Sequence, residues 1–131
     1  MQKAITRKAV STRQAPQAIG PYSQGIQANG LIFVSGQAGL DPNTQELVEG
    51  GVAEQTAQVL KNVDSILKAA GSGLDKVVRC GVFMKDLQEF ETMNRVYAEF
   101  FPGVPPARTT IQAARLPKDC LVEIDAIALG E

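Results

Sequence analysis

Leu121 to Leu129 is apolar on both sides of an extended strand, and this restricts the fold more than any other segment. Val122, Ile124, Ala126 and Ala128 would line one face, with Leu121, Ile127 and Leu129 on the other. Glu123 and Asp125 alternate onto that second face. A strand of this kind belongs inside a sheet with cover on both sides. Helices of the same chain can supply one cover; the other calls for a partner, and a symmetric homo-oligomer is the simplest source. A carboxylate among apolar neighbours at a subunit junction is costly unless paired. Glu123 is therefore a candidate for chemistry, with Arg108 or Lys118 as its candidate partner.

Glycine and proline divide the rest of the chain into short elements. Tyr22 to Ala28 and Leu31 to Ser35, joined by Asn29-Gly30, read as a β-hairpin. Val52, Val59, Leu60, Val63, Ile66, Leu67 and Ala70 recur at helical spacing, and Gly71 stands at the expected stop. A second helix is expected from about Leu87 to Phe101, with Asp86 and Glu89 as a capping pair and Pro102 behind it. Its buried stripe would be Phe90, Met93, Tyr97, Phe100 and Phe101. Val77 to Met84 and Thr109 to Ala113 read as further strands. The order is ββαβαββ, and residues 1–13 form a short first strand or an extension. The expectation is a single domain over 1–131, α+β in class, with a mixed sheet and two helices packed on one face.

Histidine is absent, which removes the commonest metal ligand and the usual general base together. Serine–histidine and cysteine–histidine nucleophile systems are excluded. No acidic loop motif offers a carboxylate cage, so no metal and no cofactor are expected. Cys80 and Cys120 lack the spacing of a redox or zinc site and point to a reducing compartment. The 13 basic and 14 acidic residues give a net charge of −1 without a basic block, which argues against nucleic acid as a partner. No apolar run is long enough for a bilayer, so a soluble, cytoplasmic protein is expected and no membrane association. Met1 to Arg13, basic and without acids, has some likeness to a transit-peptide remnant, which leaves organellar import open.

Four further segments occur in order along the chain. They are Ala15-Pro16 with Ile19-Gly20-Pro21-Tyr22-Ser23-Gln24, then Val34-Ser35-Gly36-Gln37, then Pro106-Ala107-Arg108-Thr109-Thr110, and finally Ala114-Arg115-Leu116-Pro117 with Val122-Glu123-Ile124. In these the chain resembles the Rid family, also called YjgF, and within it the RidA branch. The resemblance implies a chorismate-mutase-like fold assembled as a homotrimer with ligand sites between subunits. It also implies hydrolysis of 2-iminopropanoate and 2-iminobutanoate to 2-oxo acids and ammonia, the work of a 2-iminobutanoate/2-iminopropanoate deaminase. The family's functional arginine falls on Arg108 and its acidic residue on Glu123. Many relatives carry a cysteine where this chain has Thr110, which removes any thiol-based proposal and spares main-chain contacts there.

The chemistry of such a substrate asks for a clamp and a positioned water. Arg108 can grip a carboxylate through two parallel hydrogen bonds, and Glu123, expected on the adjacent strand, would hold water and move protons. Tyr22 would close one side of the ligand, and Ser35 and Gly36 would let the backbone approach it. Substrate binding is thus assigned to Tyr22, Ser35, Gly36, Arg108 and Thr110, and catalysis to Arg108 and Glu123. Arg115 and Lys118 read as ordinary loop charges, and Tyr97 as core. Two other function classes stand beside it: a sensor in which the same arginine binds a 2-oxo acid or other small carboxylate without turnover, and an RNA-acting inhibitor of translation, against which the charge balance speaks.

Overall fold

A computed structural model describes residues 6–130. A six-stranded mixed sheet has the order β1-β2-β3-β6-β4-β5. Its strands are β1 (Arg7–Val10), β2 (Gly25–Ala28), β3 (Leu31–Ala38), β4 (Val77–Met84), β5 (Ala107–Gln112) and β6 (Val122–Leu129). The short first strand expected within residues 1–13 is β1, paired with β2; residues 1–5 lie outside the described residues. At the β2–β3 turn both Asn29 and Gly30 have positive φ, the geometry that matches a two-residue loop to the strands' twist. Tyr22 to Gln24, expected inside the hairpin, precede the strand as an irregular segment.

Helix α1 (Val52–Ala69) starts where the Glu54 carboxylate accepts the Gly51 N–H at 2.8 Å. It ends in a Schellman arrangement: Gly71, at φ 80°, donates to Lys68 and Ser72 donates to Leu67. Its apolar stripe, Val59, Leu60, Val63, Ile66 and Leu67, is fully buried. The stripe packs across β3 and β6 and against helix α2 (Phe90–Phe100). The second helix is shorter than its periodicity suggests. Asp86 caps a separate turn, Leu87–Glu89, by accepting the Gln88 N–H, and the α-helix follows. That turn carries Phe90 out of the buried stripe, leaving it 38% exposed, while Met93 and Tyr97 stay inside.

Parallel strands cannot be joined by a hairpin, so α2 is the crossover between β4 and β5. The last strand enters between β3 and β4, antiparallel to both. It lies at the centre, as its two apolar faces demand. Val122, Ile124, Ala126 and Ala128 are buried beneath the helices. On the other face Phe33, Ile111 and Leu129 remain 41, 46 and 50% exposed, so two helices cover one side only. Among the described residues no helix is long and apolar enough to cross a membrane.

Candidate functional site

The open face carries a cavity at the far end of β3. Val34 pairs with Ala126 and Gln37 with Ile124, so Ser35 and Gly36 together oppose Asp125. That extra residue is a β-bulge, which bends the strand and re-aims its side chains. A Cβ at Gly36 would collide with the Glu123 carboxylate, so glycine is what lets the acid lie against the backbone. Tyr22, Ser35, Gly36 and Glu123 all line a cavity of about 390 Å3. Pro16, Ile19, Leu40 and Pro117 supply its apolar wall, and Gln24, Gln37 and Lys118 its other polar groups.

Buried Gln24 shapes one rim. Its amide donates to the carbonyls of Pro16 at 2.7 Å and Thr12 at 3.1 Å, and its oxygen accepts the Thr12 N–H at 2.7 Å. The Ser35 hydroxyl donates to Ser23 at 2.6 Å, so it fastens the loop carrying Tyr22 and keeps only acceptor capacity for a ligand. The Tyr22 hydroxyl accepts the Ile19 N–H at 3.3 Å while its ring stays half-exposed over the cavity.

Burial pushes the Glu123 carboxyl above the ordinary carboxylate range, and the nearby Asp125 adds to the effect. Asp125 is itself held by the Gly81 N–H at 2.8 Å. Neither candidate partner forms an ion pair with Glu123 among the described residues. Lys118, read from the sequence as a loop charge, also lines this cavity. Both Lys118 and Asp119 sit at φ 56°, a left-handed conformation costly for residues with a side chain. Buried Leu116 and Cys120 hold this turn at its ends, and Lys85 holds Asp119 at 3.0 Å.

Arg108 and Thr110 lie elsewhere. Strand β5 runs parallel to β4 with Arg108 level with Cys80 and Thr110 level with Val82, so both side chains fall on the helix side of the sheet. The Arg108 Cζ stands 4.7 Å from the Tyr97 ring centre and 5.6 Å from that of Phe90. The hydroxyls of Thr110 and Tyr97 are buried there without a hydrogen-bond partner. The expectation that Glu123 stands on the strand next to Arg108 is thus overturned. Because β6 inserts between β3 and β4, β4 separates the two residues, and they project from opposite faces. One chain alone does not bring them together.

Both cysteines are free and buried. Burial, followed by the influence of Glu123, pushes Cys120 up to about 11, and burial raises Cys80 as well. Neither thiol is an activated nucleophile at neutral pH. Among the described residues, no group of three or more His, Cys, Asp or Glu side chains is placed to hold a metal ion. Sequence reasoning did not single out Gln24 or Gln37, and it read Phe90 only as part of the buried helix stripe. The two glutamines stood inside the motif segments, but only a fold shows that one ties down a loop and the other turns inward beyond a bulge.

The family model described as Endoribonuclease L-PSP matches residues 12–130. A Mus musculus protein named 2-iminobutanoate/2-iminopropanoate deaminase is 49% identical over 126 residues, covering 96% of this chain and 93% of its own length. A RutC family protein of Pyrococcus horikoshii is 47% identical over 125 residues, covering 95% of this chain and 99% of its own. Among solved structures, E. coli TdcF with bound serine aligns with a TM-score of 0.90 at 41% identity, covering 95% of this chain and 99% of that one. The four ordered motifs, the α+β fold and these full-length matches agree: the chain belongs to the Ribonuc_L-PSP family, the YjgF/Rid proteins.

Proposed function

We propose that this protein deaminates small 2-imino acids by hydrolysis, in a site that a second copy of the chain completes. The observation that carries this reading is the separation of two complementary charges. Glu123, with its raised pKa, lines a cavity on the open face without an ion-pair partner, while Arg108 projects from the edge strand β5 on the helix side, with no carboxylate on it among the described residues. A head-to-tail contact that seats the β5 edge of one copy against the open, apolar face of the next would bring the arginine of the first to the cavity of the second, and a contact of that type can close into a ring. The family resemblance implies a homotrimer for such a ring. The deaminase names of the mouse and human relatives support the reaction class.

In the reaction, Arg108 takes the substrate carboxylate through its two-pronged donor edge. Tyr22 and the Ser35–Gly36 bulge bound the pocket around 2-iminopropanoate or 2-iminobutanoate, and the Thr110 main chain borders the arginine. Water held by the ionised Glu123 attacks C2, its proton passes to the carboxylate, and the C=N electron pair moves to nitrogen, which takes that proton back from Glu123 to give a neutral carbinolamine. Glu123, ionised again, accepts the carbinolamine's hydroxyl proton and delivers it to the amino nitrogen as the C–N bond breaks, leaving a 2-oxo acid and ammonia. A carboxyl with a raised pKa suits a group that must accept and return a proton near neutral pH. Water is the sole co-reactant, so the steps call for no cofactor or metal. A cytoplasmic setting fits enzymes that release such imines.

A second reading, binding of a small carboxylate without turnover, draws on TdcF having been solved with serine bound. One experiment separates the two. A threonine dehydratase generates 2-iminobutanoate in situ, and 2-oxobutanoate release is followed with wild-type protein and with Arg108→Ala. The expected result is release faster than the spontaneous rate, reduced roughly ten- to a hundredfold by the substitution, as loss of a charge-assisted pair implies. A wild-type protein that adds nothing to the spontaneous rate overturns the deaminase reading. RNA cleavage that is lost in Arg108→Ala would favour a nuclease instead.

A further inference from the structure

Arg108 is supported in a way the proposed reaction does not by itself require. Phe90 and Tyr97 stand seven residues apart on α2, two turns along one helix face, and both present rings to the guanidinium, at 5.6 and 4.7 Å. Tyr97 is only 5% exposed and packs on Phe101, with ring centres 4.7 Å apart, so its ring is fixed by the core. Asn94 lies between Phe90 and Tyr97 in the helix, and its side-chain oxygen is buried without a partner. The fold has therefore placed aromatic faces against this arginine and left its neighbouring polar atoms uncommitted.

We propose that Tyr97 and Phe90 are positioning residues for Arg108, their ring faces holding the guanidinium in one plane so that its donor edge is presented to a carboxylate ligand. The inference rests on the reading of Arg108 as the carboxylate anchor. A free arginine must give up many rotamers to make two parallel hydrogen bonds, and a side chain already seated on aromatic faces has given them up before the ligand arrives. The hold is assigned to the attraction between the cation and the ring face, with the Tyr97 hydroxyl, which lies near Cys80 and Arg108, secondary to it. A lysine at this position has no planar group to lie on the rings.

The test uses the full-length protein and two readouts. The Arg108 Nε–Hε signal, assigned by its absence in Arg108→Ala, should show an aromatic ring-current shift in the wild type. That shift should diminish in Phe90→Leu and in Tyr97→Leu, and Tyr97→Phe should restore it. In the dehydratase-coupled assay, KM for 2-iminobutanoate should rise about three- to tenfold in the leucine variants, with kcat little changed and Tyr97→Phe again restoring it. Partly exposed Phe90 keeps the test informative if Tyr97→Leu fails to fold. An unchanged Nε–Hε shift in Phe90→Leu overturns the proposal, as does a Tyr97→Phe protein as impaired as Tyr97→Leu. A wild type without activity defeats the deaminase reading alone, because the ring-current shift still decides whether the rings hold the arginine.

Discussion

The two faces of β6 differ by one residue of register and by everything else. Even-numbered positions from Val122 to Ala128 are buried under the helices, while Glu123, Asp125 and Ile127 on the other face are only half-covered. The first set closes the apolar core beneath the helices, where a change of even one methylene is felt. The second keeps a carboxyl in a partly dry pocket where its proton affinity can be tuned. Stability and chemistry are thus interleaved along a single strand, and substitutions that respect its parity should separate them.

The largest effect is expected on the covered face. Ile124 is fully buried, and Ile124→Ala should cost about 2–5 kcal/mol in urea unfolding, because the cavity adds to the lost transfer energy. Ile127→Ala, on the open face, should cost less and, if that face is an interface, should lose more stability in dilute than in concentrated solution, because the weakened assembly dissociates first. Equal, concentration-independent losses at both positions would break the contrast between the faces.

Gly36→Ala should come next, with its effect on turnover exceeding its effect on stability. The new methyl occupies the position of the Glu123 carboxylate, so the acid must swing away from the backbone. Overpacking of this kind costs about 1–3 kcal/mol of stability. Imine hydrolysis should fall at least about tenfold, since each tenfold needs only about 1.4 kcal/mol of barrier. Full activity in Gly36→Ala would show that the placement of Glu123 against the bulge is irrelevant to the chemistry.

Glu123→Gln sharpens the comparison through pH. The folded-state pKa of Glu123 lies above its usual value of 4.5, so between those two values the folded protein binds the proton more tightly than the unfolded chain. Stability contributed by the protonated acid is therefore full at low pH and is lost as pH rises through that window. Glu123→Gln should lack this decline and be the more stable protein above the window. Parallel stability–pH curves for the two proteins would mean that the carboxyl is not perturbed by burial and Asp125.

What the sequence made legible follows from which features are periodic. The alternation in β6, the helical spacing of α1 and the Asn29-Gly30 and Gly71 signals are local, and each element appeared where its pattern stood. The Ser35–Gly36 bulge was not legible, because a bulge exists only relative to the partner strand. The parity of Arg108 was hidden for the same reason: it depends on a parallel register with β4 that a crossover helix sets. Tyr97 was read correctly as core, but its second neighbour, the guanidinium, comes from a strand whose position only the topology fixes. Phe90 was misplaced because the Leu87–Glu89 turn breaks the phase of the helix before α2 begins.

The smallest expected effect concerns the turn beneath the cavity. Lys118 adopts φ 56° and ψ 17°, and a glycine there removes the clash between Cβ and the following carbonyl. Lys118→Gly should therefore raise stability, by no more than about 1 kcal/mol once the greater freedom of glycine in the unfolded chain is counted against it. A left-handed lysine lining the same cavity as an unpaired carboxylate is backbone strain at the edge of the candidate site. If the ammonium takes part in the site, Lys118→Gly should be a more stable and less active protein. Measuring both quantities on the one variant decides it: a gain in stability with turnover unchanged shows that the strained turn shapes the cavity wall and that its charge is idle.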